Sequence, residues 1–134
     1  TLRTGHHEYI ADSEIQQRID HNIACSAVGI SARRHAGHVV KTLSKGCRLV
    51  QYGKNLSEVQ KVIGTGGIIV NNRDTAAEVL KSVELKESER DDVLLPDSVE
   101  TLIDEDYIFY AAGLLRDYDE EAALAIMKKS IKSI

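Results

Sequence analysis

The chain has 134 residues, 43% of them hydrophobic and 28% charged, and its formal net charge at neutral pH is −4. These values are typical of one globular domain with its own core, and they exclude an intrinsically disordered chain. The acidic balance provides no basic field to attract nucleic acid, and no apolar run approaches the ~20 residues that cross a bilayer. Two cysteines are too few for a disulfide framework, so we expect a protein of the reducing cytoplasm.

The first predicted element is a long helix over residues 13–36, after an entry segment without any period. Ser13 and Gln16 have the spacing of a capping box, and residues 33–35 place cations in the last turn. Gly37 then fits a C-cap. Apolar residues recur every three or four positions and predict one continuous apolar face, formed by Ile15, Ile19, Ile23, Ala27 and Ile30.

Strand and helix signals follow one another in the middle of the chain. Residues 47–52 predict a strand that ends at Gly53. A later helix begins at Asp74 or Thr75, and its predicted buried face consists of Ala76, Val79, Leu80 and Val83. Residues 84–92 are nearly all polar and carry charges of both signs, so we expect a solvated loop there.

The glycine-rich loop between these elements is the most informative feature of the sequence. Val62 and Ile63 predict a short buried strand, which runs into Gly64-Thr65-Gly66-Gly67. Glycines at this density are costly in conformational entropy, so they mark a backbone that bends sharply or lets a ligand come close. Such a loop can lay backbone N–H groups against a nucleotide, with the Asn71 amide in reach of the loop or the ligand. The alternative is a tight turn between two strands, in which residues 68–70 form the second strand instead of leading into a helix.

The C-terminal part predicts two further helices. Asp104 caps the first, whose apolar face consists of Tyr107, Ala111, Leu114 and Leu115. Acidic residues 119–121 open the last helix, on which Leu124, Met127 and Ile131 are predicted to face inward. Short β segments that alternate with helices indicate an α/β fold with a small mixed sheet covered by helices.

The remaining chemistry-bearing residues favour structural roles. The five histidines, including His6 and His7, lack the partners of a convincing ligand set, so no metal site is predicted. Cys25 lies within a helix and Cys47 opens a strand, where cysteine usually acts as a small hydrophobe. Acidic residues 104–106 are explained by capping. Nucleophile-elbow, Walker A and zincin motifs are absent, so no catalytic residue is assigned.

Around the glycine loop the sequence resembles the actin-like ATPase superfamily, in which a buried strand ends in Gly-Gly at the adenosine site. Residues 66–71 have the Gly-Gly-x-x-x-Asn spacing of some members. The closer resemblance is to the MutL or GlmL family, accessory proteins of adenosylcobalamin-dependent glutamate mutase. It rests on five patches in order along the chain, at residues 32–37, 50–56, 62–67, 94–96 and 106–115. The family commonly has Asp where this chain has Asn55, and Lys where it has Asp97.

This resemblance implies an ATP-dependent reactivating factor that releases damaged cobalamin from the mutase. Residues 1–134 would be a single domain, a fragment of the C-terminal, ribonuclease H-like lobe of a larger two-lobed ATPase. The adenosine-side contacts with ATP would come from Gly64, Thr65, Gly66, Gly67 and Asn71. The phosphate motif with its Mg²⁺-directing Asp would belong to the N-terminal lobe, so the fragment alone is expected to be inactive. The implied partners are the mutase subunits and the N-terminal lobe, not nucleic acid or membrane, and a homodimer stays open.

Two other interpretations remain open. An ATPase that activates radical dehydratases would hold an iron–sulfur cluster across a dimer, using Cys25 and Cys47 as the two ligands of each subunit. A non-catalytic interaction module would use the glycine loop only as a turn.

Overall fold

The computed structural model describes residues 11–43, 46, 48–89 and 92–134. The elements along these residues are α1 (Glu14–His35), β1 (His38–Thr42), β2 (Arg48–Tyr52), β3 (Lys61–Gly64), α2 (Gly67–Val70), α3 (Arg73–Lys81), β4 (Glu100–Asp104), α4 (Phe109–Leu115), α5 (Glu120–Ser130) and β5 (Ile131–Ser133). A 3₁₀ turn, Glu87–Glu89, lies between α3 and β4. Within the described ranges, no helix combines the length and the apolar composition that a membrane crossing requires.

The long helix predicted near the N-terminus is confirmed as α1. Its N-cap is Ser13, whose hydroxyl accepts a hydrogen bond from the amide of Gln16 at 3.4 Å. Its C-cap is Ala36, one residue before the predicted Gly37. Glycine is required at position 37 for a different reason. A Cβ there would collide with the carbonyl oxygen of Tyr52, where the chain after β2 passes the end of α1.

The central sheet has three strands in the order β3-β4-β5. β3 and β4 are parallel, with Ile63 opposite Leu102, and β5 adds to β4 in the antiparallel direction. β1 and β2 form a separate antiparallel pair. Because carboxyl ends of parallel strands share one edge, Gly64 and Asp104 lie at the same edge of the sheet.

The hydrophobic core lies between α3 and the parallel strands. Its centre consists of Ile69, Ala76, Val79, Leu80 and Ile103, and Ala24, Cys25 and Val28 of α1 pack against it. α1 therefore covers α3, which in turn covers β3 and β4. α4 and α5 pack on each other, and α5 also contacts β4. The predicted α/β fold, with small sheets flanked by helices, is confirmed.

The face of α1 that packs on the core is not the predicted one. Ile15 is 70% exposed and Ile23 is 52% exposed, and Ile19, Ala27 and Ile30 are also exposed. The packed face consists of smaller residues such as Ala24 and Cys25. A Cβ at Gly29 would stand 3.2 Å from the carbonyl oxygen of Ser82. Close approach to the segment that ends α3 thus selects the small-residue face, although the isoleucines are more hydrophobic.

The predicted apolar faces of the C-terminal helices are wrong only in part, because Ala111, Leu115 and Met127 are half-buried. Leu114 is 73% exposed, and Tyr107 and Leu124 are also exposed rather than facing inward. The buried residues are Ala112 in α4 and Ala123 and Ser130 in α5, and the two helices pack on each other. Ile131 begins β5 instead of ending the inward face of α5.

Other segments also differ from the prediction. β1 and β4 lie where no strand is predicted. Residues 68–70, for which the sequence leaves open both a second strand and the approach to a helix, belong to the helical turn α2. Val62 is half-buried and Ile63 is exposed, so β3 is less buried than expected. Cys47, residues 1–10 and residues 90–91 lie outside the described residues, and the predictions made for them stay predictions.

Candidate functional site

The glycine loop lies at the carboxyl edge of the parallel strands. β3 ends at Gly64, Thr65 and Gly66 form the connection, and α2 begins at Gly67. Asp104 ends the neighbouring strand, β4. Open α/β sheets bind ligands outside the carboxyl ends of their strands. The predicted loop residues therefore lie where this kind of fold places a ligand site.

Gly64 is buried, and its missing side chain serves packing. A Cβ there would stand 2.9 Å from Leu80 Cδ2 and 3.0 Å from Ile69 Cγ2, closer than carbon atoms pack in protein interiors. The glycine lets α2 and α3 pack directly on β3. Gly64 thus positions the loop from the core, while Thr65, Gly66, Gly67 and Asn71 lie at least partly at the surface.

Gly66 and Gly67 leave one side of the loop main chain bare. Gly66 has φ +104°, a conformation that favours glycine, and no atom lies within 4 Å of where its Cβ would be. A Cβ at Gly67 would meet only Asn71 Nδ2, at 3.6 Å. On the other side, the carbonyl of Gly66 accepts hydrogen bonds from the amides of Ile69 and Val70.

Asp104 is fully buried beside this loop and accepts four hydrogen bonds. Its Oδ1 accepts from Ser130 Oγ at 2.5 Å and from the amide of Ile108 at 3.1 Å. Its Oδ2 accepts from Thr65 Oγ1 at 3.0 Å and from the amide of Phe109 at 2.9 Å. The carboxylate therefore connects the glycine loop, the start of α4 and the end of α5.

The charge state of Asp104 follows from these contacts. Burial raises the pKa of the carboxyl, but the four hydrogen bonds, led by that of Ser130, outweigh burial and hold the pKa below its ordinary value. The group is ionised at neutral pH. Its lone pairs are directed to protein donors, so Asp104 is not presented to a metal ion or ligand.

A groove of about 870 Å³ lies beside α2, within the size range of small-molecule sites. It is lined by Glu14, Gln17, Arg18, His21, Val70, Asn71, Asn72, Arg73, Asp74, Thr75 and Glu78. Of the predicted site residues, Asn71 lines this groove, whereas Thr65, Gly66 and Gly67 do not. Arg73 at its edge pairs with Glu105 at 2.7 Å, which ties the start of α3 to the turn after β4.

A second cavity, of about 420 Å³, lies at the opposite edge of the sheet, before β3 and β4 begin. It is lined by Ser57, Glu58, Val59, Gln60, Asp97 and Ser98. None of the predicted site residues takes part in it. The carboxyl edge therefore remains the candidate site.

The cysteine and histidine residues can be placed only in part. Cys25 is half-buried between α1 and α3, with its Sγ 3.5 Å from His21 Nε2, which also lies 3.2 Å from Glu78 Oε2. Cys47, the second ligand in the iron–sulfur interpretation, lies outside the described residues, as do His6 and His7. Across the described part of the chain, no three or more His, Cys, Asp and Glu residues are grouped to hold a metal ion.

Sequence reasoning assigned Asp104 to helix capping and missed its contact with the glycine loop. Asp104 ends β4 and is not the N-cap of α4, which is Ile108, but its carboxylate does accept hydrogen bonds from the amides of Ile108 and Phe109 at the start of α4. The β-branched residues at alternate positions, Val99, Thr101 and Ile103, are the signal that could have placed Asp104 at the end of a strand. Its pairing with β3 depends on tertiary structure.

Comparison with known proteins defines the class of this α/β chain. The sequence profile of a family described as MutL protein matches residues 2–131, and the chain belongs to this family, as the resemblance indicated. A curated relative, Protein MutL of Clostridium tetanomorphum, is 31% identical over 133 residues. The matched region is 98% of this chain but 28% of the relative, so the chain spans less than a third of the relative's length. No solved structure matches the chain.

Proposed function

We propose that this chain is the adenosine-side part of the C-terminal lobe of an actin-like, ATP-dependent reactivating factor for an adenosylcobalamin-dependent mutase of the glutamate mutase type. The observation that supports it best is the bare main chain of Gly66 and Gly67 at the carboxyl edge of β3 and β4. Membership of the MutL protein family supports the mutase as partner. By this proposal the protein works in the cytoplasm, together with the mutase subunits.

The loop suits the nucleoside part of ATP. Ribose or adenine packs on the main chain of Gly66 and Gly67, where no side chain intervenes. Asn71, which lies at the end of α2 and lines the groove, offers an amide to the same ligand. The nearby groove is large enough for a nucleoside.

The phosphate and Mg²⁺ contacts are assigned to the N-terminal lobe. Mg²⁺ prefers carboxylate and water oxygens. Among the described residues near the loop, the carboxylate of Asp104 is taken by four protein donors and that of Glu105 by Arg73. ATP with Mg²⁺ supplies the transferable phosphoryl group, and this chain contributes the binding of the nucleoside. This division is why the chain alone is expected to be inactive.

Substitution of Gly67 by alanine tests the proposal in the full-length protein. The Cβ has room in the free protein, so the fold is kept, but the methyl group occupies the surface on which the nucleoside packs. We expect Gly67→Ala to weaken ATP binding roughly tenfold, since overpacking by one methyl group costs about 1–3 kcal/mol. Isothermal titration calorimetry measures the affinity.

Gly113→Ala is the matched control, because Gly113 also lies in a helix, has no atom within 4 Å of a Cβ and is not part of the glycine loop. Its ATP affinity should equal that of the unchanged protein. If the unchanged protein, Gly67→Ala and Gly113→Ala bound ATP with equal affinity, the glycine loop would not be part of the nucleotide site. A full-length protein that binds no ATP would reject the proposal as a whole.

The mutase partner needs a separate test. The full-length protein, ATP and mutase inactivated with a damaged cobalamin are mixed, and cobalamin release is followed by its visible absorption. We expect release that depends on ATP and is weakened by Gly67→Ala. Release at the same rate without ATP would contradict the reactivating role. An iron–sulfur absorption band in the anaerobically purified protein would favour the radical-dehydratase activator instead.

A further inference from the structure

The hydrogen bond between Thr65 and Asp104 joins the proposed nucleotide loop to the neighbouring strand. Thr65 Oγ1 donates to Asp104 Oδ2 at 3.0 Å, across 39 positions of sequence. The acceptor is rigidly held, because three other donors from α4 and α5 fix the same carboxylate. A hydrogen bond to a charged acceptor is roughly twice as strong as one between neutral groups.

The loop needs such a contact because its own residues do little to hold its shape. Gly66 is free of side-chain constraints at φ +104°, and its position as N-cap of α2 lacks a side-chain hydrogen bond. Glycine loses more conformational freedom on ordering than any other residue. A side chain anchored next to it removes part of that freedom before a ligand arrives, which lowers the cost of binding.

We propose that Asp104 is a positioning residue for the nucleotide site, which acts through Thr65 to hold the main chain of Gly66 and Gly67 in the ligand-competent conformation. The inference rests on the proposed function for the identity of the ligand. The hydrogen-bond network itself does not depend on that proposal, so the two can fail separately.

The same bond determines what Thr65 can offer a ligand. A threonine hydroxyl has one proton, and this proton is directed to Asp104, so toward a ligand the oxygen can only accept. Phosphate oxygens are acceptors and gain nothing from such a group. A ribose hydroxyl or an adenine amino group is a donor and fits it. The side chain therefore favours the nucleoside over the phosphates at this point of the loop.

Hydrogen exchange of the full-length protein without nucleotide tests the positioning role. The amides of Ile69, Val70 and Asn71 donate to the carbonyls of Gly66 and Gly67, so their exchange reports whether the loop keeps its shape. Thr65→Val preserves the shape of the side chain but removes the donor. We expect it to accelerate exchange at these amides about tenfold or more, and Thr65→Ser to restore the original rates.

Thr101→Val is the matched control. Thr101 lies on β4 like Asp104, is buried, and donates its hydroxyl to the carbonyl of Ile134 at 2.9 Å. The variant loses one hydrogen bond by the same chemical change, away from the glycine loop. It should leave exchange at Ile69, Val70 and Asn71 unchanged. Unchanged exchange in Thr65→Val, or equal acceleration in Thr101→Val, would overturn the positioning role.

Binding measurements on the same proteins separate this inference from the proposed function. We expect Thr65→Val to weaken the binding of both ATP and adenosine about tenfold, and Thr65→Ser and Thr101→Val to retain it. Faster exchange in a protein that binds no nucleotide would keep the positioning role and reject the proposed ligand. Tight ATP binding together with unchanged loop exchange in Thr65→Val would keep the proposed ligand and reject the positioning role. An effect of Thr65→Val on inorganic triphosphate but not on adenosine would overturn the nucleoside preference.

Discussion

Arg33 shows how much one side chain contributes to this fold. Its guanidinium forms a bidentate pair with Glu89, with both N···O distances at 2.7 Å, and the two side chains are only 21% and 22% exposed. It also donates to the carbonyls of Gly29, Ser82 and Glu84. A single residue thus ties the end of α1 to the segment after α3, part of which the sequence predicted to be a solvated loop. Asp104 has a comparable role as an acceptor, because its carboxylate joins the glycine loop to the start of α4 and the end of α5.

Replacement of Arg33 by methionine should destabilise the chain strongly. The change leaves the Glu89 carboxylate and three carbonyls without their donor, and breaking a largely buried pair costs about 3–5 kcal/mol. Arg34→Met, one residue further along the same helix turn and exposed, should change the free energy of unfolding by less than about 0.5 kcal/mol. Urea denaturation measures both. Similar losses in the two variants would show that Arg33 contributes no more than a surface charge.

At the scale of elements, α1 has two candidate apolar faces, and the helix period fits both. The isoleucine face points to solvent, while Ala24, Cys25 and Val28 pack against the core cluster. The choice follows from how closely α1 approaches α3 and the residues after it, as shown by the 3.2 Å that separates a Cβ at Gly29 from the carbonyl oxygen of Ser82. Large side chains cannot enter a gap of that width.

Alanine substitutions on the two faces of α1 test this orientation in the 134-residue chain. Val28→Ala removes packed methyl groups and should cost about 1–2 kcal/mol of unfolding free energy. Ile23→Ala removes more carbon atoms but from an exposed position, so it should cost less than about 0.5 kcal/mol. Chemical denaturation gives both values. A larger loss for Ile23→Ala would mean that the isoleucine face is the packed one.

At the scale of the whole molecule, the stack of α1, α3 and the parallel strands positions the candidate site. Gly64 lets α2 and α3 pack directly on β3, and Asp104 fixes the loop from β4. α1 adds Glu14, Arg18 and His21 to the groove beside α2. The site therefore depends on three layers that come from separate parts of the sequence.

The stability of the fold in acid depends on the hydrogen bonds of both Glu89 and Asp104. The pKa of Glu89 is lowered mainly by the hydrogen bond from Arg33. Burial raises the pKa of Asp104, but its four hydrogen bonds outweigh burial, so this pKa also lies below its ordinary value. A carboxyl group whose pKa is lower in the folded than in the unfolded state stabilises the fold at pH values above its unfolded-state pKa. This contribution is lost as the pH falls through the folded-state pKa. The free energy of unfolding should therefore decrease progressively below about pH 5.

Arg33→Met provides the control for this pH dependence. It removes the hydrogen bond that lowers the pKa of Glu89 but leaves the contacts of Asp104 in place. Urea denaturation between neutral and acidic pH should give a shallower decline for this variant. An identical decline in both proteins would show that Glu89 contributes nothing to acid sensitivity.

Local patterns in the sequence determined much of this protein. Capping and periodicity predicted α1, and periodicity predicted α3, although its N-cap is Asn72 and not Asp74 or Thr75. Glycine density predicted the loop at residues 64–67, and ordered patches of residues indicated the MutL family. These features are local because caps, helix periods and backbone freedom act within a few residues. They required no knowledge of what each element would contact.

The tertiary structure alone decided which faces and partners were used. It paired β3 with β4, turned the small-residue face of α1 inward, and brought Asp104 to Thr65 across 39 positions. Strand pairing and buried polar contacts depend on residues far apart in sequence, whose meeting no local pattern encodes. The glycine loop could be found by reading the chain, but the carboxylate that anchors it became visible only once the strands were side by side.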